Sequence, residues 1–343
     1  MYNSVGTSRF FIDTIQWLRS VGIFQGVDEG NLVSGNGQSI IGLTNNEITT
    51  WDLEAEGVYN KRVIPLDLGI TLDKILQSPN QYLAVLGHNC NDIVGFIIDE
   101  GAVGGYNRFS VHEGVVNFSI INDGSVDSSD GATAYNGFSI ARLGNPSDTL
   151  EQQVRLSVYG GTGDYKIRTI SLGDIFEMPH SADLSLTLGY ETGTKTIETR
   201  GGASLSNTMW RPPMWGELGA WELSDPDSPT TGQKLAHSSR RTWNLSFSFL
   251  DKTDSFPKYN ALNRYTNENI SENELPLTEG ETLLTSNDFF SVVWEKVGTA
   301  LPFIFQPDKD VPEFAIAKFS NNFSFQQTAP NLYSVKMKIR EVW

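Results

Sequence analysis

Glycine and proline interrupt this chain too often for it to form long helices. The 343 residues include 32 glycines and 14 prolines, together about one residue in seven. Glycine weakens the interior of a helix and proline breaks it, whereas short strands joined by turns accept both at their ends. The frequency of these two residues therefore predicts a mainly β protein. Its length predicts two domains, with a single large β domain as the alternative.

The first half of the chain contains five β-rich segments, each bounded by glycine, asparagine or aspartate. They lie at 81–89, 92–99, 114–121, 136–144 and 152–160. The stretch 122–137 is expected to be a surface loop, because its aspartates lack the order and the closing glutamate of an EF-hand; a cation site is the alternative. Strand character continues through "KIRTISLG" and stops near Pro179. We place a domain boundary there, which gives domains at 1–178 and 179–343.

Two segments of the second half alternate between apolar and polar residues, as strands with one buried face do. In 240–251 the residues expected to face inward are Trp243, Leu245, Phe247 and Phe249. In the last strand Tyr333, Val335, Met337 and Ile339 share the inward face, and Ser334, Lys336, Lys338 and Arg340 share the outward face. The end of the chain therefore presents a basic stripe.

Three further segments have a local signature. The stretch 286–298 has helical spacing, with Ser286 or Asn287 as the candidate cap and Gly298 as the expected end. The stretch 182–202 is expected to form a hairpin that turns at 192–194. The stretch 9–22 fits a short helix or a strand.

The charge of the chain excludes several classes of partner. The formal net charge is -16 and the pI is about 4.6. Phosphate binding requires clustered Lys and Arg, so neither nucleic acid nor an anionic membrane surface is an expected partner. No apolar run approaches the length of a membrane span, and the first residues lack the pattern of a secretory signal. With Cys90 as the single cysteine, no internal disulfide can form, and we expect folding in a reducing cytosol.

Motifs of catalysis are absent from the sequence. The four histidines are scattered, His88 and Cys90 alone fall short of a metal site, and neither a nucleophile elbow nor a phosphate loop occurs. Counting carboxylates does not exclude a glycosidase pair, because the separation of the two groups is the informative quantity. The expectation is a protein without catalytic residues, metal or cofactor.

One aromatic segment stands out, "MWRPPMWGELGAWEL" at 209–223. Its two adjacent prolines exclude a helix interior or a central strand, and Trp and Arg are enriched at protein interfaces. The tryptophans can pack in the core or between domains, form a subunit interface, or offer a platform for a sugar ring. The candidate interface residues are Trp210, Arg211, Trp215 and Trp221, together with Lys336, Lys338, Arg340 and Trp343 of the last strand.

Two segments of the first domain, "YLAVLGHNCND" and "YKIRTISLGDIFEMPHSADLSL", resemble the galactose-binding-like jelly-roll module of tail proteins from tailed bacteriophages. In the second half "RRTWNLSFSFL", "FFSVVWEKVGTALPFIFQPD" and "LYSVKMKIREVW" are similar to the terminal β domain of distal-tail and baseplate proteins. The resemblance covers about residues 80–343. It implies a jelly-roll β-sandwich followed by a second β domain that carries a short helix.

The same resemblance implies a non-enzymatic structural protein of the virion tail, assembled in the host cytoplasm as a ring or a trimer. Its partners would be copies of itself and other tail proteins. The basic stripe would then complement an acidic patch on a neighbouring subunit, with an exposed face that prevents edge aggregation as the alternative. Two other functions stay open, a module that binds a host surface glycan and a virion enzyme that degrades polysaccharide.

Overall fold

The computed structural model describes residues 6–23, 80–86, 169–184, 187–191, 194–208, 240–257, 283, 286–311 and 314–342, and the shorter strands that lie between them. The strands of the first half are β1 (Arg9–Asp13), β2 (Gly26–Val27), β3 (Trp51–Leu53), β4 (Lys61–Asp67), β5 (Gln81–Leu86), β6 (Asp92–Ile98), β7 (Tyr106–Ser110), β8 (Ile120–Asn122), β9 (Phe138–Leu143), β10 (Gln153–Tyr159), β11 (Tyr165–Ile167) and β12 (Thr169–Glu177). Those of the second half are β13 (Thr187–Glu191), β14 (Thr194–Glu198), β15 (Ser204–Thr208), β16 (Arg240–Asp251), β17 (Phe303–Gln306), β18 (Ala315–Phe319), β19 (Phe325–Ala329) and β20 (Leu332–Glu341). The helical segments are α1 (Thr14–Ser20), α2 (Lys252–Ser255) and a π-helical turn (Phe290–Trp294) that continues into α3 (Glu295–Val297).

Antiparallel sheets form most of the described structure, which confirms the prediction of a mainly β protein. The largest sheet has 11 strands in the order β13-β16-β20-β18-β17-β1-β12-β5-β9-β8, and β19 pairs with β20 beside this path. A second sheet has five strands in the order β2-β4-β10-β6-β7. Most strands of the first half therefore divide between these two antiparallel sheets, as in a β-sandwich, while β3 and β11 pair with each other in a separate two-stranded sheet.

Strand β1 lies inside the large sheet and connects its two halves. It pairs with β12 on one side and with β17 on the other. Phe10 and Ile12 belong to one core cluster and Phe11 to another, so both faces of the strand are covered. A strand buried on both faces has no polar side, and its sequence does not alternate. For this reason the sequence of 9–22 fits a helix or a strand. The structure shows a strand followed by the helix α1. Asp13 caps α1 by accepting a hydrogen bond from the Gln16 N–H at 3.1 Å.

The larger core cluster is rich in aromatic side chains from both halves of the chain. Phe10 and Phe176 contact it from the first half, and Trp243, Phe305 and Val335 from the second. Strand β12 ends at Glu177, two residues before Pro179, where the domain boundary is predicted. The division into 1–178 and 179–343 stays a prediction, and both the sheet and the core run through it.

The expected inward position of Phe249 is wrong. Its side chain is 72% exposed and its φ is +66°. The register of β16 against β20 shifts between Phe247 and Leu250, and Leu250 takes the buried position instead. A bulge of this kind adds one residue to a strand, so the alternation beyond it changes face.

Two other local predictions need correction. The hairpin expected in 182–202 is not formed by its described strands, because β13 pairs with β16 and β14 pairs with β15. The helix near 286–298 has its cap at Asp288, whose carboxylate accepts a hydrogen bond from the Ser291 N–H at 2.9 Å. Its predicted end at Gly298 is confirmed, since this residue has a φ of +48° that favours glycine.

Candidate functional site

The inward face of β20 anchors the last strand in the core. Val335, Met337 and Ile339 are buried in the larger cluster, as the alternation predicts. Tyr333 is half-buried, and its ring packs edge to face against that of Phe256, with 4.9 Å between the ring centroids. These contacts fix which side chains of the strand must point outward.

The outward face of β20 carries Lys336 and Lys338, and both are exposed. Their register partners on β16 are Ser246 and Asn244, which are polar but uncharged. Within the described part of the chain, neither lysine forms an ion pair. Two lysines whose Cα atoms are about 7 Å apart along the strand therefore point to solvent on a protein whose net charge is -16.

Arg340 lies on the same face, but its charge is paired within the chain. Its Nε donates to Oε2 of Glu191 at 2.8 Å, and a terminal guanidinium nitrogen lies 2.7 Å from the same oxygen. Glu191 sits on β13 opposite Arg240, whose pKa is lowered by burial and by the nearby charge of Arg340. The predicted stripe of three cations thus consists of one arginine that joins β20 to β13 and two lysines that form no ion pair with any described residue.

Lys318 belongs to this face although the sequence did not single it out. It lies opposite Arg340 in the pairing of β18 with β20, and directly opposed residues of antiparallel strands share a face. Ala317 and Phe319 on either side of it are buried, and Lys318 is the one polar residue of "AIAKF", so its charge could have indicated an outward position. Its position beside the stripe depends on strand pairing, which the alternation does not specify.

Strand β20 is not an edge of the sheet. It pairs with β16 along one side, and β18 and β19 pair with parts of the other side. Between those two partners the Ser320 N–H donates to the Lys338 carbonyl oxygen at 2.8 Å, and Asn321 Oδ1 accepts from the Lys338 N–H at 2.7 Å. Because its backbone is paired, lysines on this strand do not serve to protect an open edge.

The other predicted interface residues lie outside the described part of the chain. They are Trp210, Arg211, Trp215 and Trp221 of the aromatic segment, and Trp343 at the end of β20. Their assignment to a subunit interface stays a prediction.

A buried polar cluster lies where α1, β12 and α3 meet. Lys296 Nζ lies 2.8 Å from Asp174 Oδ2, and the hydroxyl groups of Tyr82 and Ser171 are 2.7 Å apart. Burial raises the pKa of Asp13, beside them, to about 7. The adjacent cavity measures about 10 Å³, which is room for about one water molecule. The cluster is therefore built as a packed network and leaves no space for a substrate.

The described residues contain no group of three His, Cys, Asp or Glu side chains arranged to hold a metal ion. No helix in that part of the chain has the length and apolar character to cross a membrane.

Comparison with known proteins gives no relative for this chain. No family model, no curated protein and no solved structure matches it.

Proposed function

We propose that this chain is a non-catalytic structural component of the tail of a tailed bacteriophage, at the tail tip or baseplate, where it assembles as a symmetric oligomer. The resemblance of residues 80–343 to jelly-roll and distal-tail modules supports the choice of particle. The chain would be located in the virion after assembly in the host cytoplasm. Its partners would be copies of itself and neighbouring tail proteins.

The outward lysines of β20 are the observation that carries the assembly proposal. Lys336 and Lys338 project from an internal strand, so edge protection does not account for them. A closed ring requires a patch on each subunit that complements a different patch on the next subunit. Two ammonium groups on an acidic protein provide one half of such a pair, and the abundant carboxylates of a neighbouring subunit provide the other.

Charge reversal on β20 tests this function. The variant Lys336→Glu/Lys338→Glu should keep the thermal melting temperature of the wild type, because exposed charges contribute little to stability. Its incorporation into particles should fall at least tenfold, since like charges would face each other across the contact. Lys252→Glu, on exposed α2, is the control and should incorporate normally.

Two results would contradict the proposal. Incorporation of the double variant at the level of the wild type would show that the lysines face solvent in the particle. Electron microscopy of intact particles that places no copy of the chain in the tail would exclude the particle assignment itself. The conservative variant Lys336→Arg/Lys338→Arg should restore assembly if charge is the property that matters.

A further inference from the structure

Strand β13 is the terminal strand of the large sheet. Among the described strands it pairs on one side only, with β16. The edge extends back to Asp183, whose N–H donates to the Ser246 carbonyl oxygen at 2.8 Å and whose Oδ2 accepts from Ser248 Oγ at 2.9 Å. A row of backbone donors and acceptors along 187–191 thus faces away from the sheet.

Large apolar side chains project from this edge into solvent. Leu184 is 90% exposed, Leu188 43% and Tyr190 64%. Leu188 and Tyr190 are two positions apart, so they share one face of the strand. Leu188 lies opposite the buried Trp243, so this face is on the same side of the sheet as the core face of β16. Lysine, proline or a bulge commonly protects such an edge, and β13 has none of them.

We propose that β13 pairs with β13 of a second copy of this chain, antiparallel, about a two-fold axis at Gly189. The pairing would place Leu188 opposite the partner's Tyr190, and Tyr190 opposite the partner's Leu188. It would continue the 11-stranded sheet from one subunit into the next. This inference rests on the proposed assembly function and adds to it a two-fold contact, which is distinct from the contact between neighbouring subunits of a ring.

The sequence "TLGYE" is complementary to itself in this arrangement. An aliphatic side chain beside an aromatic one is a favourable cross-strand pair, and a two-fold axis repeats it. Glycine at the axis places no side chain against its symmetry mate. On the opposite face Glu191 meets the partner's Thr187, so the two glutamates do not face each other.

The charges at the two ends of β13 also fit a second copy that runs antiparallel rather than parallel. The Glu191 end of β13 lies beside Arg240 and Arg340, whereas the other end carries Asp183. Antiparallel pairing brings the arginine-bearing end of one strand towards the aspartate-bearing end of the other. A parallel arrangement would instead set like ends together.

Cysteine cross-linking tests the register. In a Cys90→Ser background, which removes the sole cysteine, a mixture of Leu188→Cys and Tyr190→Cys chains should form a disulfide-linked dimer under mild oxidation. Directly opposed residues of antiparallel strands lie close enough for a disulfide, whereas diagonal pairs lie about 7–8 Å apart. Each variant alone should therefore cross-link much less than the mixture. A mixture of Val21→Cys and Ile23→Cys, which are exposed residues after α1, is the control and should form no disulfide-linked dimer.

Sedimentation velocity over a concentration series tests the association itself. Leu188→Lys/Tyr190→Lys should weaken self-association at least tenfold without lowering the melting temperature, because both side chains are exposed. The control Val21→Lys/Ile23→Lys adds the same charge elsewhere and should associate as the wild type does.

The outcomes separate this inference from the proposed function. If the wild type associates and the β13 variant associates equally well, the edge is not the contact, and the assembly proposal stands without it. If the wild type stays monomeric at every concentration, self-association fails and the inference fails with it; incorporation into particles then decides the proposed function separately. Preferential cross-linking of Leu188→Cys to itself would overturn the register about Gly189.

Discussion

The carboxyl group of Asp13 should make the stability of this protein depend on pH in an unusual direction. Asp13 caps α1, is almost completely buried and has a pKa raised to about 7, mainly because burial disfavours its charged form. Hydrogen bonds from the Gln16 N–H and from Ser171 oppose that shift only in part. In the unfolded chain the same group ionises near its ordinary value of 3.8.

The direction of this pH dependence follows from the number of protons bound by the folded and the unfolded chain. Between pH 4 and pH 7 the folded chain holds a proton on Asp13 that the unfolded chain has released, so the free energy of unfolding falls as pH rises through this range. Above pH 7 the folded chain has also released this proton, and Asp13 lowers the free energy of unfolding no further. A difference of about three pKa units corresponds to about 4 kcal/mol, which is an upper value because burial shifts are moderated by local relaxation.

The variant Asp13→Asn removes this titration while it keeps a capping side chain of the same size. Urea denaturation at pH 4.5, 5.5, 6.5 and 7.5, followed by circular dichroism, measures the free energy of unfolding of both proteins. The variant should gain stability relative to the wild type as pH rises, by about 2–4 kcal/mol between the two extremes. Other carboxylates titrate alike in both proteins, so they cancel in the difference.

Asp251 offers a matched control. It caps α2 but is exposed, and its pKa is lowered by hydrogen bonds from the backbone and side chain of Thr253. Asp251→Asn should therefore show no gain relative to the wild type between pH 4.5 and 7.5, because its change has the opposite direction and develops below that range, near and below the ordinary value of 3.8. If the difference between wild type and Asp13→Asn does not change from pH 4.5 to 7.5, the argument from burial is wrong.

The remaining predictions concern β16, α3 and β20. Phe247→Ala should lower the free energy of unfolding by about 3–5 kcal/mol because the ring is fully buried. Phe249→Gly should lower it by less than about 1 kcal/mol, because this ring is exposed and the positive φ suits glycine. Urea denaturation of both variants tests the bulge, and equal losses would refute it. Lys296→Met should lower the free energy of unfolding by about 3–5 kcal/mol, since the buried carboxylate of Asp174 loses its ammonium partner. The double variant Lys296→Met/Asp174→Leu should recover most of that loss. If it does not, altered packing and not the unpaired carboxylate causes the loss of stability. Val335→Ala should cost about 1–4 kcal/mol by thermal or urea denaturation, and an unchanged stability would mean that β20 is not anchored through its inner face.

The local pattern of the sequence was sufficient to place side chains wherever one face of a strand is buried and the other is exposed to solvent. The alternation in 332–341 placed Val335, Met337 and Ile339 inside and the lysines outside, and the structure confirms this. Glycine and proline frequency predicted a mainly β protein because those residues act through local backbone geometry. The end of the last helix at Gly298 was predictable for the same reason.

Pairing between distant segments was decided only by the tertiary structure. Nothing in "RFFID" shows that β1 would lie between β12 and β17, because a strand covered on both faces has no polar pattern to read. The bulge that turns Phe249 outward, the ion pair of Arg340 with Glu191 and the place of Lys318 beside the stripe all depend on which strand lies next to which. Alternation specifies the face of a residue, whereas its neighbour on that face is set by long-range register. The sequence therefore determined which side chains of the last strand would point outward, and the fold determined which of their charges would remain available to a partner.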